Sequence, residues 1–227
     1  MAKEPSSRGD CFYCHRGFTR GGMSRHLGAC EKRADRLARA AEADPEAQRS
    51  FLHIEVRDID WGQHWLHLEM PASATLDALD RYLRAIWLEC CGHVSQFSVG
   101  SPWRGPRVGK SRPIGRAFDA GDELTYVYDF GSSSTLRIRR VDERRGAGAT
   151  RRPAELMARN DPPDFRCMAC DAPATWLCMA CVYEDRSGML CEAHGQEHTH
   201  DEYELMPVVN SPRMGVCGYT GPATAPY

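Results

Sequence analysis

The chain has 227 residues, of which 42% are hydrophobic, and its 29 basic and 31 acidic side chains leave a formal net charge of −2. This length allows one domain of ordinary size with small attachments. The sequence contains no run of about 18 apolar residues, so no membrane span is predicted. The first residues, "MAKEPSSRGD", lack the apolar stretch of a signal peptide. Eleven cysteines in a chain that is not secreted predict reduced thiols, metal ligands and a cytoplasmic location.

The first metal-ligand pattern lies in residues 1–40. It consists of Cys11, Cys14, His26 and Cys30. One tight turn can present the first two thiolates to an ion, and a helix places positions four apart on one face. The segment "CFYCHRGFTRGGMSRHLGAC" resembles a CCHC zinc finger, which implies one zinc ion that supplies most of the folding energy of so small a unit. His15 is the rival ligand, and a disulfide-bearing or disordered terminus is the alternative.

The finger also belongs to one of two basic segments. Residues 1–39 hold nine basic against four acidic side chains, residues 101–159 hold thirteen against seven, and residues 161–227 hold three against ten. Basic segments of this kind favour contacts with nucleic-acid phosphates, although they could equally face solvent or the acidic end of the chain. The candidate contacts are Arg16, Arg20, Arg25, Lys32 and Arg33 in the finger and Arg104, Arg107 and Lys110 in a Gly/Pro-rich loop.

The middle of the chain predicts an α+β domain over residues 51–142. A charged, Ala-rich helix extends the finger, and residues 41–50 form a linker. Alternating apolar side chains then predict strands over residues 51–56, 66–70, 94–99, 124–130 and 136–141. Between the second and third strands, Thr75 can cap an amphipathic helix whose apolar stripe reaches Trp87. This order predicts a mainly antiparallel or mixed sheet with one helix, flanked by small zinc-binding modules.

The second metal-ligand pattern occupies residues 165–204, after a polar linker over residues 143–164. Its four pairs are Cys167/Cys170, Cys178/Cys181, Cys191/His194 and His198/His200. The alternation resembles the cross-brace modules of the B-box and RING type, which implies that pairs one and three share one zinc and pairs two and four another. With the finger, three zinc ions are expected. A single zinc with spare ligands is the alternative, and Cys217, Asp185 or Asp201 could replace a terminal histidine.

Residues 205–227 are too apolar for a solvated terminus and predict a docked segment. We expect this segment to pack on the α+β domain or on the zinc module, with Cys217 either buried or donating a thiolate to zinc. Cys90 and Cys91, at the predicted helix end, are most simply interpreted as buried apolar residues.

Two stretches resemble a known family. They are "LTYVYDFGSSSTLRIRRV", preceded by "HVSQFSVG", and the ending "LMPVVNSPRMGVCGYTG". Both look like the plasmid pRiA4b ORF-3-like family, whose members are also labelled insertion-element passenger TnpR-like proteins. Where the family continues its Tyr-Asp-Phe-Gly motif with acidic residues and a tryptophan, this chain has Ser132, Ser133 and Ser134. The resemblance implies an association with mobile DNA, not a defined reaction.

Two functions therefore follow from the sequence. The first is a zinc-binding adaptor or regulatory protein that binds nucleic acid or a protein partner, in an oligomeric state that the sequence does not indicate. The second is a hydrolase-like enzyme with His93 and Asp129 as an acid–base pair beside Gln96 and Tyr128. In the simpler interpretation, Asp129 caps a turn and His93 satisfies a sheet edge. No complete catalytic constellation occurs in the sequence, which favours the first function.

Overall fold

The computed structural model describes residues 7–200 and 205–222. The strands of the described residues are β1 (Arg8–Cys11), β2 (Gly17–Thr19), β3 (Arg49–Asp58), β4 (Trp65–Pro71), β5 (Ser95–Val99), β6 (Arg107–Val108), β7 (Glu123–Tyr128), β8 (Ser134–Gly146), β9 (Glu155–Asn160), β10 (Trp176–Cys178), β11 (Met189–Leu190) and β12 (Leu205–Pro207). The helices are α1 (Arg20–Ala29), α2 (Glu31–Ala43), α3 (Leu76–Leu83), α4 (Ile114–Ala117), α5 (Met179–Tyr183) and α6 (Glu192–Gln196), and a wider π-helical turn over Arg84–Leu88 continues α3.

Nine strands form one sheet in the order β2-β1-β9-β4-β3-β8-β7-β5-β6, and every neighbouring pair is antiparallel. A separate small sheet has the order β11-β10-β12. The prediction of an α+β fold with a mainly antiparallel sheet is confirmed.

One face of the large sheet carries the main hydrophobic core. Apolar side chains of β3, β4, β7 and β8 pack there against the amphipathic helix α3 and the turn that follows it. Thr75 caps α3, since its hydroxyl accepts a hydrogen bond from the Ala78 backbone. The alternation of the strands therefore buries this face, as the period-two pattern predicts.

The opposite face, called the back face below, is polar and is covered in part by the finger. Here α1 and α2 lie over β9, β4 and β3, and the finger's apolar residues pack on Trp65 and Met157. Arg33 of α2 forms an ion pair of 2.6 Å with the buried Glu69, and Tyr13 donates a hydrogen bond to Glu155. Strand β1 also pairs with β9, so the finger is an integral edge of the sheet rather than a tethered module.

The expected linker over residues 143–164 is largely structured. Strand β8 continues to Gly146, and β9 joins the finger to the rest of the sheet. The apolar stretch of β9 is only three residues long, Leu156–Ala158, and is flanked by charged residues. So short a stretch gives no strand signal of its own. Its partner strands, β1 and β4, lie far away in the sequence, so local patterns do not reveal the pairing either.

The described part of the C-terminal segment, residues 205–222, packs between the sheet and the zinc module. Strand β12 pairs with β10, and Met214 lies in a cluster with Leu177 and Met189. The Ser211 hydroxyl donates a hydrogen bond of 2.6 Å to the backbone carbonyl of Trp87 in the main core. Residues 223–227 of the expected docked segment lie outside the described residues.

Candidate metal centres and basic surface

The finger brings its four predicted ligands into one group. Cys11 ends β1, Cys14 lies in the following turn, His26 lies on α1, and Cys30 separates α1 from α2. Their donor atoms all lie within 4.8 Å of one another. Cys14 Sγ is 3.3 Å from His26 Nε2, and the Phe18 ring stacks on the His26 imidazole at 4.0 Å between centroids.

The C-terminal module brings together two further groups in the cross-brace arrangement. The first group is Cys167, Cys170, Cys191 and His194, and the second is Cys178, Cys181, His198 and His200. These are the pairings that the resemblance implies. Helix α6 begins directly after Cys191 and carries His194, while β10 ends at Cys178 and α5 carries Cys181, so each short element orients one ligand pair.

The spacing of the donor atoms fits a tetrahedral zinc ion. With Zn–S of about 2.3 Å and Zn–N of about 2.0 Å, a tetrahedron separates two sulfurs by about 3.8 Å and a sulfur from a nitrogen by about 3.5 Å. Cys170 and Cys191 place their sulfurs 3.7 Å apart, and Cys167 Sγ lies 3.5 Å from His194 Nδ1. In the other group, Cys181 Sγ lies 3.2 Å from His198 Nε2. The donor sets are compatible with zinc, and four protein donors in each group are typical of a closed, structural site.

The electrostatics of the cysteines differ between the finger and the C-terminal module. Burial raises the pKa of the Cys11 thiol to about 12, so this group would stay protonated without a nearby positive charge. In the first C-terminal group, burial raises the pKa of Cys167, but hydrogen bonds from the backbone of Cys191, Ala169 and Cys170 outweigh it and lower that pKa to about 6. The backbone there is arranged to hold a thiolate, which is the form that binds metal.

The rival ligands are not part of these three groups. His15 is exposed at a backbone φ of 56°, and it lies outside the finger's donor group. Asp185 is absent from the group around Cys181, and Asp201 lies outside the described residues. Cys217 belongs to a different group altogether.

That fourth group consists of Cys90, Cys91, His93 and Cys217. Cys91 is exposed, so its interpretation as a buried apolar residue is wrong, whereas Cys90 is half-buried and packs against the main core. No spacing rule could have found the group, because Cys217 lies more than a hundred residues from the other three. Only the docking of the C-terminal segment brings the donors together.

The proposed acid–base pair lies beside this group. His93 Nε2 is 3.5 Å from Asp129 Oδ2, but it is closer, at 2.9 Å, to Cys91 Sγ. The Asp129 carboxylate accepts a hydrogen bond of 2.6 Å from the fully buried Arg213 guanidinium. Burial raises the pKa of Asp129, yet the hydrogen bonds from Arg213 and from the Gly131 and Ser132 backbone together outweigh it and lower that pKa overall, which disfavours a general base. Gln96 donates to the carbonyl of Pro102 instead of joining the pair.

The candidate nucleic-acid contacts divide into two classes. Arg33 and Lys110 bind carboxylates of the chain itself, Arg33 at Glu69 and Lys110 at Asp80 with a separation of 3.1 Å. Arg20 approaches Glu55 at 3.5 Å. The exposed members are Arg16, Arg25, Lys32, Arg104 and Arg107.

The structure adds three arginines that sequence analysis did not single out. A groove on the back face is lined by Arg57 of β3 and by Arg137 and Arg139 of β8, together with the start of α1. Arg57 and Arg137 are direct cross-strand neighbours. The sequence "LRIRR" could have revealed the two β8 arginines, because its alternation of apolar and charged residues places both of them on the face opposite the core.

Comparisons with known proteins add little to this geometry. No protein-family model matches the chain, and no curated protein matches it. Among solved structures, the chain is similar to a protein of unknown function from Methanosarcina mazei Go1, with 16% identity, a TM-score of 0.40, and coverage of 48% of this chain and 68% of that one. No helix within residues 7–200 and 205–222 is long and apolar enough to cross a membrane.

Proposed function

We propose that the chain is a zinc-stabilised nucleic-acid-binding protein that acts as an adaptor or regulator, and that it contacts the phosphate backbone with the back face of its sheet. The observation that carries this proposal is the pairing of Arg57 with Arg137 directly across two strands. Like charges in this position repel each other, so a bound anion would relieve the repulsion.

The surroundings of the pair support an anionic ligand. The groove holds four arginines, Arg20, Arg57, Arg137 and Arg139, against the two acids Glu55 and Glu123. Arg139 binds Glu55 at 2.5 Å, whereas Arg137 reaches Glu123 only at 3.8 Å and with 40% of its side chain exposed. Arg57 forms no ion pair with any described residue. The groove therefore keeps a positive excess that is open to solvent.

The register of the sheet places Arg107, from the second predicted basic segment, in the same row of the back face as the arginine pair. Arg137 pairs with Thr125, Thr125 with Ser98, and Ser98 with Arg107. The middle of this row is covered, because Thr125 and Ser98 are buried and donate hydrogen bonds to the carbonyls of residues 100 and 101 in the loop that follows β5. With strands about 4.8 Å apart, the four steps from Arg57 to Arg107 span about 19 Å. The two basic ends of the row are therefore separate contact points for phosphates, and the start of the finger helix α1 lies at the Arg57 end.

A salt series tests the proposal. Binding of duplex DNA, single-stranded DNA and RNA is measured by fluorescence anisotropy from low to physiological salt, with the double variant Arg57→Gln/Arg137→Gln. Each lost phosphate contact lowers the slope of log K against log salt by about 1, so we expect a reduction of about 2 together with weaker binding to every sequence.

The matched control is Arg145→Gln/Arg151→Gln, which removes the same charge from exposed residues outside the groove. We expect its salt slope to stay close to that of the unchanged protein. Absence of binding to all three nucleic acids at low salt would refute the proposal and point to a protein partner instead.

Three narrower points belong to the same proposal. The resemblance of residues 205–221 and of the Tyr126–Gly131 motif supports membership of the pRiA4b ORF-3-like family and an association with mobile DNA. The predicted reduced state of the cysteines supports action in the cytoplasm. Three zinc ions, one in the finger and two in the cross-brace module, would hold the folded surface in place.

A further inference from the structure

The fourth Cys/His group draws its donors from two distant segments of the chain. Cys90, Cys91 and His93 follow the end of the α3 helical segment, where Gly92 turns the backbone at a φ of 81°. Cys217 comes from the C-terminal segment and has a left-handed φ of 56°. The two segments already touch where Ser211 donates to the Trp87 carbonyl, and a shared ligand would fasten them further.

The donor atoms of this group lie as close together as those of the three predicted centres, or closer. Cys91 Sγ lies 2.9 Å from His93 Nε2 and 3.3 Å from Cys217 Sγ, and His93 Nε2 lies 3.4 Å from Cys217 Sγ. The fourth donor, Cys90 Sγ, lies 3.7 Å from Cys91 Sγ. These separations approach the edges of a tetrahedron around zinc, about 3.5 to 3.8 Å.

We propose that Cys90, Cys91, His93 and Cys217 form a fourth zinc site, which clamps the C-terminal segment to the α+β domain. Three thiolates and one imidazole are soft donors that select zinc over magnesium or calcium. Arg213 supports the assignment, because its guanidinium lies 3.5 Å from Cys90 Sγ. A Zn²⁺ ion with three thiolates carries a net charge of −1, and this arginine would offset it from outside the coordination shell.

Solvent exposure distinguishes this site from the finger centre. Cys91 and Cys217 are exposed, whereas Cys11 and Cys30 are buried. The cross-brace groups have one exposed ligand between them, Cys170, against two in the fourth group, so a chelator reaches the ion of the fourth site most directly and this ion should leave before the others. Its loss would free the thiols of Cys91 and Cys217 while the finger and cross-brace centres stay loaded.

The first test uses the unchanged full-length protein. Purified under reducing conditions and without chelator, it is examined by native mass spectrometry, and we expect four zinc ions. A limited chelator treatment should remove one ion first, and peptide mapping after alkylation should find Cys91 and Cys217 modified at that stage. The proposal is overturned if the protein holds no more than three ions, if other cysteines react first, or if Cys91 and Cys217 form a disulfide.

Variants then assign the ion to the site. Cys217→Ser should bind one ion fewer than the unchanged protein, and Cys217→His, which restores a nitrogen ligand, should recover it. The control is Thr220→Ala, an exposed residue of the same segment, which should keep all four ions. An unchanged zinc count in Cys217→Ser would also overturn the proposal. Nucleic-acid binding depends on the back-face arginines and is measured separately, so failure of either proposal is recognisable by itself.

Discussion

Replacing Arg213 with methionine should release the C-terminal segment from the sheet. The Arg213 side chain is fully buried and donates to the Asp129 carboxylate at 2.6 Å and to the Ser132 carbonyl at 2.5 Å. Its guanidinium also lies 5.2 Å from the centre of the Tyr128 ring. Methionine fills a similar volume but leaves the carboxylate of Asp129, whose side chain is only 9% exposed, without its counter-charge.

The expected cost follows from this unpaired charge. Removal of one partner of a buried ion pair costs about 3–5 kcal/mol. Asp129 keeps a hydrogen bond from the Gly131 backbone, so we take the lower value, about 3 kcal/mol. A local opening made easier by that amount raises the hydrogen-exchange rate of the segment's amides by about 150-fold.

The assay is hydrogen exchange of the Met214, Val216 and Tyr219 amides, which donate to backbone carbonyls within the segment. The double variant Asp129→Asn/Arg213→Met removes both charges and should recover much of the protection. Arg140→Met, which breaks an exposed ion pair with Asp122, should change the free energy by less than about 1 kcal/mol. If Arg213→Met exchanges no faster than Arg140→Met, the ion pair does not hold the segment and the reasoning is refuted.

Two further predictions concern the back face. Gly9→Ala should detach the finger from the edge of the sheet, because a Cβ at residue 9 would lie 2.0 Å from the Arg159 carbonyl oxygen across the β1–β9 pairing. The measurement is limited proteolysis of residues 7–43, which should become faster. Unchanged resistance to the protease would contradict the close pairing of β1 with β9. Burial lowers the pKa of His53 to about 2 and that of His67 to about 4, so both stay neutral in the folded protein while the unfolded chain takes up protons near pH 6.5. Below pH 6.5 the unfolded chain binds protons that the folded protein does not. The free energy of unfolding therefore falls as the pH drops from 6.5 toward 4, by up to about 1.4 kcal/mol per pH unit for each histidine, and this loss is absent above pH 6.5. The pH dependence of urea unfolding should therefore be weaker in His53→Gln/His67→Gln, and an unchanged slope would show that the pair does not titrate as described.

The elements that sequence analysis located correctly are those with local signals. The period-two alternation of β3 and β4, the apolar stripe of α3 with Thr75 at its start, and the ligand spacings of the finger and cross-brace all depend on residues close together in the chain. Helix α2 also ends near the predicted position, at Ala43. These features needed no knowledge of tertiary contacts.

The features that were missed depend on contacts between distant segments. Strand β9 is recognisable only once β1 and β4 flank it, and the buried ion pair of Arg33 with Glu69 requires α2 to lie on the sheet. Arg33 was predicted to face phosphate because a basic residue on a charged helix gives no sign of a buried carboxylate opposite. Cys90 and Cys91 were interpreted as core residues because Cys217, which lies beside Cys91, is more than a hundred residues away in the sequence.

Zinc content, together with the ligands of the bound ions, is the most direct test of the central claim that the Cys/His groups are metal centres. Zinc-edge X-ray absorption and elemental analysis are carried out on one sample purified without chelator. The three predicted centres offer eight cysteine sulfurs and four histidine nitrogens. We therefore expect at least three zinc ions per chain, with an average of about 2.7 sulfurs per ion at about 2.3 Å. Fewer than three ions, or a shell dominated by oxygen, would contradict the account.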